Sequence, residues 1–232
     1  MNNKLFYLNG VTDVSQPTHS LLIVSWFIVY FPFVTSTMHK SGKSLFSYFD
    51  GLPVTSNLNG FPYVFFPLTD YRPAPQPSLF TQLARRITQK VNFSRTQVLV
   101  GQADRGSGPL IYAVASKLKL PFALANWYPR ETQSQILVEN AHHLCGPGFI
   151  YLNGVGLLQT VSIVVDLIST GGTTLALAKA VLKTGAKIDK IVAAAENVDL
   201  GGANIISKTL KISPISIVKY RIVNNRTQVV DL

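Results

Sequence analysis

The chain has 232 residues, 47% of them hydrophobic and 14% charged, and its 21 lysines and arginines against 11 acids give a formal charge of +10. That length suits one domain with decoration, and the charge excess attracts polyanions, whether nucleic acid or phosphate-rich metabolites. The single cysteine, Cys145, excludes an internal disulfide, and four histidines with only His142 and His143 adjacent offer no zinc site.

Residues 1 to about 60 are weakly patterned and form an N-terminal extension or hood region of unassigned role. Within them Leu21 to Val34 is apolar, yet it falls short of the ~20 residues that span a bilayer and carries Pro32 near its end. It lacks the basic start and small-x-small site of a signal peptide. It reads as a buried strand or subunit-contact surface, with membrane association as the alternative. Lys40 to Lys43 reads as a loop. Pro73, Pro75 and Pro77 close an aromatic stretch that begins at residue 61 and make it a stiff connector. Ser78 is then a plausible N-cap, and Leu79, Leu83, Ile87 and Val91 form the stripe of a helix ending near Asn92.

Strands and helices alternate from there. Gln97 to Gly101 is a buried strand, Ala103 to Gly108 a turn, Pro109 to Leu118 a helix and Pro121 to Ala125 a strand. Residues 126–147 are irregular. Gly148 to Leu158 is hairpin-like, Val161 to Asp166 a strand and Thr173 to Thr184 a helix stopped by Gly185. Lys190 to Ala195 and Ile212 to Tyr220 are further strands. Such alternation predicts an α/β fold, a parallel sheet flanked by helices, with ligands at the carboxyl ends of its strands.

Two glycine turns fall at those ends. In Ser162 to Thr174 an apolar strand runs into Asp166, then into Ser169-Thr170-Gly171-Gly172-Thr173, then into a helix. Glycines let backbone approach a phosphate, and the helix N-terminus directs N–H groups and positive dipole at it. Asp166 is placed to accept hydrogen bonds from a sugar. The Gly-Lys-Ser/Thr ending of a P-loop and the Gly-x-Gly-x-x-Gly of a dinucleotide site are both missing. Upstream, Gly101-Gln102-Ala103-Asp104-Arg105-Gly106 opens another helix, and its guanidinium suits a pyrophosphate.

The first turn resembles the phosphoribosyl pyrophosphate (PRPP) motif of the type I phosphoribosyltransferases. The second is similar to the pyrophosphate loop of the adenine phosphoribosyltransferases, at Gly101, Arg105 and Gly106. Glu196, Leu200, Gly201 and the strand Pro214 to Tyr220 resemble that family's tail, and the likeness covers about residues 61 to 223. It implies a type I phosphoribosyltransferase-like sheet over 61–232 with a small hood and a lid at about 126–147. It also implies a cytoplasmic homodimer of purine salvage joining adenine to Mg2+-bound PRPP, giving AMP and pyrophosphate, with no membrane partner and no metal ligands from the protein. By resemblance, Ser169, Thr170, Gly171, Gly172 and Thr173 grip the 5-phosphate and Asp166 the ribose. Asp104, Arg105 and Gly106 hold the pyrophosphate, and Val64, Phe65 and Phe66 line the base pocket. Asp166, Arg105 and Glu139 are the catalytic candidates, with Glu131 an alternative acid and His142 a possible lid donor.

The chain departs from the family pattern in three places. Val165 replaces the first of two acids, Asn126-Trp127-Tyr128-Pro129 replaces a basic pair and leaves Arg130 as the nearest cation, and no motif marks the lid acid. The alternatives are a 6-oxopurine (hypoxanthine, guanine or xanthine) enzyme, and a PRPP-sensing regulator that binds nucleic acid.

Overall fold

The computed structural model describes residues 44–56, 62–128, 136–140 and 148–231. The apolar run 21–34, the loop 40–43, Arg130, Glu131, His142 and Cys145 lie outside them. Residues 45–48 form a 3-10 turn. β1 (Val54–Ser56) and β2 (Pro62–Val64) then pair antiparallel, with Val54 opposite Val64. α1 (Pro67–Asp70) and α2 (Pro77–Lys90) each begin on a proline, where the missing N–H costs nothing. The remaining elements are β3 (Val98–Gln102), α3 (Ser107–Leu118), β4 (Phe122–Ala125), β5 (Ile136–Asn140), β6 (Gly148–Leu152), β7 (Thr160–Ile168), α4 (Gly172–Lys183), β8 (Lys187–Asn197), α5 (Gly202–Leu210), β9 (Ile215–Val223) and β10 (Arg226–Asp231).

The six-stranded sheet runs β10-β9-β8-β7-β3-β4, with β4, β3, β7, β8 and β9 parallel and β10 antiparallel at one edge. Parallel strands covered on both faces must be apolar throughout, and Ile163, Val164, Val165, Ile191, Val192 and Ala193 are all buried accordingly. Leu99, Val164 and Val192 face α2 and α3, where Leu79, Leu83, Ile87, Leu110 and Val114 pack. Val100, Ile163 and Ile191 face α4, against Leu177 and Val181. Each such leucine contributes about 1.5–3 kcal/mol on burial.

Four readings from the sequence need correcting. Ser78 is not an N-cap, because α2 begins at Pro77 with Gln76 in the cap position. The α3 helix starts at Ser107 rather than Pro109, because residues 107 and 108 already lie in its first turn. Gly148 to Leu158 is not a hairpin on itself: β6 pairs with β5, which lies inside the stretch read as irregular. A closing strand, β10, and the helix α5 were not anticipated. Residues 44–56 are also part of the packed domain. Leu45 and Phe49 are buried in its core, and residues 50–54 bond to β10 through Gly51 N–H to Thr227 O at 2.8 Å and Thr227 N–H to Leu52 O at 2.9 Å.

Candidate active site

Because β3 and β7 are parallel neighbours, both glycine turns emerge at the same edge of the sheet. The Ser169–Thr173 turn follows β7. Gly171 takes φ 82°, a left-handed conformation that glycine adopts freely, and the chain then enters α4 at Gly172. The first N–H groups of α4 have no intrahelical acceptor and point into this corner. The turn is pressed against the start of α5. A Cβ added to Gly202 would stand 2.2 Å from Ser169 O and 2.6 Å from Gly171 N. Only a residue without a side chain lets α5 support the turn so closely.

Asp166 lies at the end of β7 and is 8% exposed. Ser107 Oγ donates to its Oδ1 at 2.9 Å, and the Leu167 N–H donates to the same oxygen at 2.8 Å. Its Oδ2 lies against Gly106, where an added Cβ would come within 2.0 Å. Ser107 also ties in the second turn, since its N–H donates to Asp104 Oδ1 at 2.6 Å. One buried serine therefore links the acid of each corner, at the first position of α3.

Burial pushes the Asp166 carboxyl up to about 7, with the Asp104 charge adding to the effect and the bonds from Ser107 and Leu167 opposing it. Burial likewise raises Asp104, against bonds from Ser107 and Gly106 and the nearby Arg105 charge. Burial thus raises two neighbouring carboxyls in one cleft, which makes it the candidate site. Val165, where the motif's first acid is expected, points into the apolar face and is buried.

The pyrophosphate-loop candidates Asp104, Arg105 and Gly106 lie between β3 and α3. Arg105 is exposed, and its carbonyl accepts the Tyr71 hydroxyl at 2.7 Å. Tyr71 sits at φ 57° just after α1, so the segment from residue 62 reaches over to the loop. Of the proposed base-pocket residues, Val64 and Phe66 are core. The Phe66 ring packs 5.8 Å from Phe49 and 5.2 Å from Tyr220. Phe65 is the exposed ring, edge-on to Tyr63 and with the Arg72 guanidinium 5.0 Å from its centroid. Glu139 is a residue of β5, opposite Phe149, and its side chain lies outside the described set.

Ser107, Tyr71 and Gly202 were missed in the sequence. Ser107 was hidden in a Gly-Ser-Gly run that reads as turn. Tyr71 carries no local signal, because its partner is 34 residues away.

Among the described residues no group of three or more histidines, cysteines or acids could hold a metal by itself. Asp104 and Asp166 fit a different arrangement, in which Mg2+ arrives on a phosphate ligand and keeps most of its oxygens from water and substrate.

No family model matches the chain. The hypoxanthine/guanine phosphoribosyltransferase of Methanotorris igneus is 32% identical over 136 residues, 58% of this chain and 72% of that protein. The protein of the same name from Methanocaldococcus infernus is 30% identical over 166 residues, 71% of this chain and 87% of that one. Among solved structures, adenine phosphoribosyltransferase from Thermoanaerobacter pseudethanolicus superposes with a TM-score of 0.61 at 20% identity, over 72% of this chain and 95% of that one. The Giardia lamblia enzyme complexed with 9-deazaadenine gives 0.62 at 16% identity, over 72% and 93%. The chain belongs to the type I phosphoribosyltransferase family, and within it is a purine phosphoribosyltransferase.

Proposed function

We propose that the protein transfers the phosphoribosyl group of PRPP to a ring nitrogen of a 6-oxopurine, releasing pyrophosphate. The observation that carries the donor assignment is the contact of Asp166 with Gly106 and Ser107, which joins the two anion corners into one cleft. The 5-phosphate sits on Ser169 to Thr173, with the first N–H groups of α4 as donors. Asp166 orients the ribose hydroxyls, and Asp104, Arg105 and Gly106 hold the pyrophosphate. Asp104 and Asp166 are the residues that would hold Mg2+ brought in with PRPP, and the ion would supply charge neutralisation for the pyrophosphate leaving group. The reacting carbon becomes oxocarbenium-like, so the protein's part is to fix ribose and leaving group in line and to place negative charge beside the developing cation. Glu139 is the acid proposed to serve the base from the lid 126–147, and Phe65 is the ring available for stacking on it.

Hypoxanthine and guanine are preferred because the relatives of 30% identity or more carry those bases in their names. Adenine is the second reading. It is the sequence's own indication, since no lysine for a 6-oxo group occurs in a matching motif. A panel of purine bases with PRPP and magnesium, scored by the nucleotide formed, decides between them. AMP as the sole product overturns the first reading, and no nucleotide from any purine overturns both in favour of a PRPP-sensing regulator. A homodimer in the cytoplasm belongs to the same proposal.

A further inference from the structure

In this topology every helix from α2 to α5 ends at the edge of the sheet opposite the active site, and the following strand begins there. The connecting stretches are strongly basic. Residues 90–97 carry Lys90 and Arg95, and residues 117–121 carry Lys117 and Lys119. Residues 183–190 carry Lys183, Lys187 and Lys190, and residues 208–214 carry Lys208 and Lys211. In these four stretches the sole acid is Asp189, whose side chain is 5% exposed and bridged by Arg95 and Lys190.

Lysines at helix C-termini offset the helix dipole, and one per helix would suffice for that. Arg95, Lys187 and Lys190 lie instead in loops and strand starts. Moreover, Lys119 at φ 56° and Lys211 at φ 58° occupy left-handed cap positions that glycine fills without strain. Charge is kept there at the expense of conformational ease.

The same edge exposes leucines. Leu157, Leu158 and Leu182 are 72%, 69% and 47% exposed. Leu158 too is left-handed, at φ 63°. The turn that bears it is fastened to the basic stretches: the Leu158 N–H bonds Gly185 O at 3.1 Å, and the Lys187 N–H bonds Gln159 O at 2.8 Å. Apolar side chains projecting from a cationic rim match the two layers of an anionic bilayer, its acyl boundary and its headgroups. On a nucleic acid the lysines would find phosphates, but the leucines would meet nothing apolar.

We propose that this edge docks peripherally on an anionic lipid surface, leaving the PRPP cleft open to solvent on the far side. The test is co-sedimentation of the full chain with phosphatidylcholine vesicles, with and without phosphatidylserine. Binding is expected only with phosphatidylserine and is weakened by salt. L157S/L158S and, separately, K187E/K211E should each lower the bound partition roughly tenfold while leaving nucleotide formation unchanged. Both variants keep residues 21–34, so a loss tracks the edge itself. The proposal is overturned if no vesicle binds, if binding persists in both variants, or if the chain prefers duplex DNA with an affinity indifferent to the leucines.

Discussion

Asp166 holds a proton in the folded chain at pH values where an ordinary carboxyl has lost it, because burial and the neighbouring Asp104 raise it to about 7. The sign for stability follows. In the unfolded chain the group ionises near 3.8, so folding stability is greatest below that value, falls as pH climbs toward 7, and is level above. Asp166→Asn removes the penalty. The variant should melt above the wild type at roughly pH 8 and lose that advantage by about pH 4, while nucleotide formation drops by roughly a hundredfold or more. A melting difference that does not change with pH would show that the carboxyl titrates normally. Ser107→Ala, which strips a hydroxyl from Asp166, should cost about 1–3 kcal/mol in denaturant unfolding. It should also raise the KM for PRPP, because Asp166 loses the hydroxyl that fixes it while the Ser107 N–H still holds Asp104.

At the scale of elements, the phosphate corner depends on how closely α5 approaches the turn after β7. Gly202→Ala places a methyl against Ser169 O and Gly171 N, so the turn must open. The expected result is a KM for PRPP raised at least about tenfold, with a smaller effect on the base. Tyr71→Phe removes the bond to Arg105 O and should raise the same KM only a few-fold, as loss of a single exposed hydrogen bond allows. The core elements were legible because periodicity and punctuation agreed: β3, β4, β7 and α4 lie within a few residues of their predicted bounds, and Gly185 ends α4 at φ 79°. The α5 helix was not legible, since it is short and opens on two glycines, which read as a turn. β5 was lost because its partner, β6, supplies the pairing that its own sequence does not announce. The contacts that unify the cleft join residues 59 apart, which no local pattern encodes.

At the scale of the whole fold, the described residues distribute charge unevenly along the strands. Asp104, Asp166, Glu196 and Asp199 lie at or just beyond the carboxyl ends of the strands, while lysines collect at the opposite edge. In the sequence the excess of +10 indicates attraction to polyanions without showing where on the fold the charges meet. Only the topology gathers the charges, because it brings the ends of α2, α3, α4 and α5 to one side. Residues 50–54 and β10 supply another pairing that linear reading could not see. The Asp50 carboxylate accepts the Val229 N–H, and the Thr227 hydroxyl accepts the Leu52 N–H, across more than 170 positions of chain. The two segments are therefore a single cooperative unit, so their amides should exchange with deuterium through one shared opening free energy, and loosening either should release both.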